Sequence, residues 1–159
     1  MAALTGTLLR PLADEDIDGL ATACAAVDPY RRLGFSAAGL AGYLRRDDPA
    51  LARFALVTGD TVAGVLALRR PWLRGPFIEM LAVLPKAQGH GLGRRAIEWA
   101  AAQAVSSGGN LWATVSDFNW PARAFYRRLG FAEIAELPGL VAPTAGEILL
   151  RRTDQAAPS

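Results

Sequence analysis

The chain has 159 residues, 52% of them hydrophobic and 20% charged, which sizes it for one globular domain and excludes a disordered segment. No apolar run reaches the ~18 residues of a membrane span, and the N-terminus MAALTGTLLRPLADED lacks the basic start and long apolar stretch of a secretory signal. The net charge of +2 comes from sixteen arginines and one lysine scattered along the chain, so no nucleic-acid footprint stands out, and the single cysteine, Cys24, excludes an internal disulfide and fits a reducing cytoplasm.

Taken in order, GTLLRPL (6–12) reads as a first strand. DEDIDGLATACAAV (14–27) reads as a helix, with apolar residues at helical spacing and acids in the first turn, where the helix dipole favours them. SAAGLAGYLRRD (36–47) is a second helix, with Ser36 as its N-cap. RFALVTGDTVAGVLALRR (53–70) is two apolar runs around Gly59-Asp60, a hairpin. PWLRGP (71–76), with a proline at each end, is a loop.

FIEMLAVL (77–84) is a near-continuous apolar strand interrupted by Glu79. GLGRRAIEWAAAQAVSS (91–107) is a long helix ended by Gly108-Gly109. NLWATVSD (110–117) is a strand, and WPARAFYRRL (120–129) a helix with Pro121 in its first turn. FAEIAEL (131–137) and EILLRR (147–152) are the last strands, joined by PGLVAPTAG (138–146). The order predicts an α/β (α+β) single domain over residues 1–152, a mixed sheet of six to seven strands flanked by about four helices, with a flexible tail at 153–159.

The stretch VLPKAQGHGLGRRA (83–96) carries the chemistry. Glycines let a backbone approach closely, and successive N–H groups at a helix start make an anion site. Gly91, Gly93 and Ala96 fit the dinucleotide fingerprint GxGxx[GA], but PKAQGH separates the strand from the first of them, and only one good βαβ unit is present. The alternative reading is Q-x-x-G-x-G, formed by Gln88, Gly91 and Gly93. Arg94 and Arg95 sit at the positive end of the helix dipole, a cost of a few tenths of a kcal/mol each that a bound polyanion would reverse.

That loop, following MLAV, resembles the coenzyme A pyrophosphate loop of the GNAT superfamily of N-acetyltransferases. NWPARAFYRRLGF (119–131) is similar to the family's later N-x-x-A-x-x-[FL]-Y-x-x-x-G-F motif, matched at every position. The two blocks stand in the family's order and separation. The resemblance implies a GNAT-like fold, acetyl-CoA as cofactor and acetyl transfer to an amine. It implies that Leu81, Ala82 and Val83 pair with the pantetheine arm through their backbones, as an added strand would. It implies that backbone amides across Gln88, Gly89, His90, Gly91, Leu92, Gly93 and Arg94 hold the pyrophosphate. Asn119 would contact the cofactor or cap its own helix, or both.

Acetyl transfer needs the amine deprotonated, the thioester polarised and the leaving thiolate protonated. Tyr126, the motif tyrosine, is the candidate acid, near the coenzyme A sulfur. Glu79 is the candidate base, through a water, because a carboxylate inside an apolar strand is costly unless used or paired. Alternation places Glu79, Leu81 and Val83 on one face, and a salt bridge to an arginine is the competing role for Glu79. Ribosomal-protein alanine acetyltransferases carry a glutamate on the following strand where this chain has Thr114, which sets that activity aside.

Acceptor recognition is expected in DPYRRLGF (28–35) and PGLVAPTAG, with Tyr30, Arg31, Phe35 and Trp72 as candidate substrate residues. Few acids lie near these segments in the sequence, which argues against a strongly cationic polyamine. The acceptor is a small-molecule amine or amino acid, with a peptide as the alternative. A non-enzymatic acetyl-CoA-binding regulator is a third reading, and a homodimer is compatible with all of them. No His/Cys/Asp cluster has metal-ligand spacing.

Overall fold

A computed structural model describes residues 2–4 and 7–153, with side chains from Leu9 onward. The expected tail beyond Thr153 lies outside the described residues. The strands are β1 (Ala2–Leu4), β2 (Thr7–Pro11), β3 (Leu51–Thr58), β4 (Thr61–Arg69), β5 (Phe77–Val83), β6 (Asn110–Ser116), β7 (Ala132–Pro138) and β8 (Gly146–Thr153). The helices are α1 (Asp14–Ala25), α2 (Tyr30–Leu33), α3 (Ala37–Arg45), α4 (Leu92–Ala104) and α5 (Trp120–Arg128). One mixed sheet runs β1-β2-β3-β4-β5-β6-β8-β7, with β5–β6 its parallel pair. The predicted α/β order holds, with two additions: the three-residue β1 and the one-turn α2, each too short for periodicity to reveal.

Local chemistry explains the starts of the helices. Ser36 Oγ accepts the Gly39 N–H at 2.9 Å and caps α3, as expected. At α1 the cap comes from inside the helix: Asp16 accepts the Ala13 N–H at 2.8 Å and pairs with Arg10 at 2.7 Å. Asn119 Oδ1 accepts the Ala122 N–H at 3.3 Å, which starts α5.

Alternation along the strands divides the core in two. On β4, Leu66 and Leu68 pack with Ile97 and Ala100 of α4 and Tyr126 of α5. Val65 and Ala67, pointing the other way, pack with Leu20 of α1 and Leu40 and Leu44 of α3. The sheet is thus a middle layer, with α4 and α5 on one face and α1 and α3 on the other.

Two irregularities in β5 make the site. Ala67 of β4 faces Met80 while Leu68 faces Ile78, so Glu79 is an extra, bulged residue. The parallel pairing of β5 with β6 is confined to Phe77–Trp112 and Ile78–Ala113. Beyond Ile78 the two strands part, and a wedge opens in the middle of the sheet.

Candidate active site

The wedge exposes one edge of β5. The Leu84 N–H donates to the Ala63 carbonyl at 2.8 Å, so the ladder to β4 uses Leu84 and, two residues back, Ala82. The backbone groups of Val83 and Leu81 therefore point into the opening. This corrects the expectation for Ala82: its N–H and C=O are committed to Val65 and are not available to an added strand. Leu81 and Val83 are the two residues that offer free backbone groups there.

The glycine loop closes the wide end of the wedge. A single 3₁₀ turn, Pro85–Ala87, leads to Gln88, whose side-chain amide donates to the Val83 carbonyl at 3.0 Å. Gly89 and Gly91 have φ of 81° and 79°, the left-handed region that side chains disfavour. Gly91 is the N-cap of α4 and supplies no side-chain cap, so the first-turn N–H groups of Leu92, Gly93 and Arg94 lack the usual side-chain partner. A Cβ on Gly89 or Gly91 would meet nothing within 4 Å. An open, uncapped helix start in this form fits a pyrophosphate, and residues 88–94 are the group that would hold it.

Gly93 does a second job. A Cβ there would lie 3.1 Å from the Phe125 ring and 3.7 Å from Val83, so the glycine lets α4 and α5 close against β5. His90 is exposed, its Nδ1 3.3 Å from the Ala87 carbonyl. Arg94 is exposed and acts on Glu98 one turn along α4. A cavity of about 770 Å³ lies beside the loop, against Ala23, Val62, Leu84, Lys86, His90 and Arg95, and Tyr126 and Glu79 are not part of its wall.

Tyr126 lies on the α4–α5 face, 7% exposed. Its ring meets Phe125 and Phe131 edge-on at 5.3 and 5.1 Å. Burial pushes its phenol above the ordinary tyrosine value, so the hydroxyl keeps its proton. Tyr30 packs with the α1–α3 cluster, and desolvation pushes its phenol upward.

Glu79 does not share a face with Leu81 and Val83, because the bulge breaks the alternation there. Leu81 and Val83 pack toward α4 and α5, whereas Glu79 turns to Arg69, whose Nη2 and Nε lie 3.0 and 3.2 Å from Oε2. The same guanidinium binds Asp48 at 2.9 Å. The competing salt bridge is thus formed. Tyr43 lies beside this group, and its buried phenol is pushed upward, first by desolvation and then by the Glu79 charge.

The candidate acceptor residues are partly gathered. Tyr30 and Phe35 meet edge-on at 6.0 Å around α2, and Arg31 is paired with Asp28 at 3.5 Å. Trp72 stacks on Phe77 at 5.0 Å, at the opposite end of β5 from the glycine loop, so it is not brought to Tyr30. Around the 138–146 loop the scarcity of acids is overturned in three dimensions. The 138–146 loop borders a cavity of about 320 Å³ lined by Asp117, Glu136 and Glu147 together with Arg123. Glu147 is 6% exposed and accepts the Ser116 hydroxyl at 2.7 Å. Sequence reasoning missed it, because EILLRR shows only a last strand and the pairing that buries Glu147 is not visible in it. Among the described residues no group of His, Cys, Asp and Glu is arranged for a metal.

The acetyltransferase (GNAT) family model matches residues 24–131. An acetyltransferase from Thermus thermophilus superposes with a TM-score of 0.74 at 24% identity, covering 96% of this chain and 99% of that one. A nourseothricin acetyltransferase is 29% identical over 68% of each chain, with a TM-score of 0.61. A spermidine N-acetyltransferase from Vibrio cholerae, in complex with CoA and spermine, is similar at 18% identity and a TM-score of 0.69, over 95% of this chain and 97% of that one. No curated protein matches the sequence. With the wedge, the glycine loop and the family model in agreement, the chain belongs to the GNAT family of acetyltransferases, enzymes that draw their acetyl group from acetyl-CoA.

Proposed function

We propose that this chain moves the acetyl group of acetyl-CoA onto the primary amine of a small molecule, in a ternary complex formed across the β5–β6 wedge. The observation that carries the reading is the wedge itself: an open β5 edge, an uncapped α4 start at one end and the Tyr126 phenol beside it. Acetyl-CoA bound there supplies a thioester carbonyl open to attack by an amine. The loop amides from Gln88 to Arg94 hold the pyrophosphate, the backbone groups of Leu81 and Val83 hold the pantetheine arm, and Asn119 contacts the cofactor while capping α5.

Tyr126 offers its O–H to the departing sulfur. A buried phenol holds its proton more tightly than a thiol of ordinary pKa ~8.5, so a completed transfer needs the proton freed from the amine to follow. The net change is one proton moved from nitrogen to sulfur. Both oxygens of Glu79 accept from Arg69, which leaves lone pairs for a bridging water but no freedom to swing toward the amine. Glu79 therefore serves as base through that water. Tyr30, Phe35 and Arg31 lie on the acceptor side. Cys24, free and buried, suits a reducing compartment such as the cytoplasm.

A nourseothricin acetyltransferase and a spermidine N-acetyltransferase among the similar structures support an amine-bearing small molecule. The test is a screen of primary amines, amino acids and peptides with acetyl-CoA, read by release of free thiol. Turnover on small amines is expected. Turnover confined to peptides moves the assignment to protein acetylation, and no turnover with any acceptor refutes the transferase reading.

A further inference from the structure

We propose that Glu147 is the carboxylate that receives the ammonium group of the acceptor, so that the substrate class is a cationic primary amine entering from the α2 side of the wedge. This rests on the transferase reading and adds a specificity residue to it.

Arginine is abundant in this chain, and several carboxylates are paired with it. Asp16 has Arg10, Asp48 and Glu79 divide Arg69, Glu98 has Arg152 and Glu133 has Arg123. Glu147 is not one of them. It is buried and accepts the Ser116 hydroxyl, with Asp117 and Glu136 around the same cavity; the cation there, Arg123, is bonded to Glu133 and to the Asp117 carbonyl instead. A buried carboxylate without a counter-charge is costly and resists ionisation. Burial pushes its pKa upward, and Asp117 pushes the same way while the Ser116 and Thr114 hydroxyls oppose them. A cationic ligand would supply the missing partner.

Its place in the fold says which ligand. Ile148 and Leu150 pack toward α4 and α5, so alternation turns Glu147 to the other face, as it does Thr114 and Ser116 opposite Val115. These residues flank the stretch of β6 that has parted from β5. The α2 turn lies near, for its Arg32 stacks on Phe118, just beyond Ser116 and Asp117 at the end of β6. The neighbouring strand β7 presents uncharged Leu137 to Glu147. The α2 cation Arg32 spends its guanidinium on the Phe118 ring, 3.9 Å from its centroid.

The test uses the full chain with CoA bound and n-butylammonium, n-butanol and butyrate as probes, titrated by protein-observed NMR. Butylammonium is expected to bind at least tenfold more tightly than the other two, and Glu147→Gln to weaken it at least tenfold while the CoA affinity stays unchanged. Butylammonium binding by the parent should weaken as pH falls and Glu147 takes up a proton, and Glu147→Gln should remove that dependence. Ser116→Ala keeps the carboxylate but loses a hydrogen bond that favours its charged form, so the midpoint should move to higher pH. Absence of binding by the parent, or retention within twofold in Glu147→Gln, overturns the assignment; if that variant does not fold, an unmoved midpoint in Ser116→Ala does so. Failure of the parent to bind CoA would instead refute the transferase reading.

Discussion

Gln88 donates its side-chain amide to the main-chain carbonyl of Val83 across 3.0 Å, tying the glycine loop to the open edge of β5. The bond spans the turn that separates the strand from the helix start, so it sets where the loop amides sit relative to the wedge. A hydrogen bond of this kind contributes about 1 kcal/mol, roughly a fivefold change in an equilibrium constant. Gln88→Leu should weaken acetyl-CoA by about that factor in calorimetry, with little change in thermal stability. An unchanged Kd would mean that the loop holds its shape without the clamp.

The glycines at the helix start should separate by role. Gly91 has a φ of 79° with open space around it, so Gly91→Ala should cost about 1–2 kcal/mol of backbone strain. At Gly93 alanine gains about 1 kcal/mol of helix propensity and loses a similar amount by crowding the Phe125 ring. Gly93→Ala should therefore be near neutral in urea unfolding yet weaken acetyl-CoA, because the α4–α5 seam must shift. A Gly93 variant that loses more stability than the Gly91 variant contradicts this division.

The Arg69–Glu79 pair allows a clean separation of base from brace. With Glu79 acting through a water, Glu79→Gln should lower kcat about tenfold or more and flatten the acid limb of the pH–rate profile. Arg69 would keep its bond to Asp48, at 2.9 Å, so the fold should survive. A profile identical to the parent's would leave Glu79 as a brace for the bulge.

Acid sensitivity should trace in part to α1. Asp16 is held below the ordinary carboxylate value, first by the Arg10 hydrogen bond and further by the Ala13 N–H, against the opposing effect of burial. A depressed folded value means that its contribution is complete above the unfolded value of ~3.9 and disappears as pH falls through the lower folded one. Asp16→Asn should cost about 1 kcal/mol at pH 7, the worth of a cap, and the gap to the parent should close by pH ~2. Urea midpoints at several pH values read this directly, and a gap that stays constant with pH would remove the carboxylate from the explanation.

Much of the fold was legible because its signals are local. Ser36 capped α3, Gly59-Asp60 turned the β3–β4 hairpin, and the apolar run 77–84 became β5. The glycine loop and the Asn119–Tyr126 block were legible as motifs, since each residue's type follows from its own backbone job. What depended on pairing was hidden. The bulge at Glu79 is a register event between two strands, and periodicity alone placed that side chain on the wrong face. The commitment of Ala82 to β4 follows from which residues of a ladder bond inward, a parity no single strand reveals. EILLRR shows only a last strand, and the return of β8 between β6 and β7 is what buries Glu147 against Ser116.

The most direct measurement is steady-state and binding analysis of Tyr126→Phe with acetyl-CoA and the best acceptor from the amine screen. The variant keeps the ring that meets Phe125 and Phe131 and removes only the hydroxyl. Transfer through the wedge with Tyr126 as donor predicts a fall in kcat of about 10²-fold or more, with the Kd for acetyl-CoA and the thermal midpoint unchanged. Turnover equal to the parent's would contradict it.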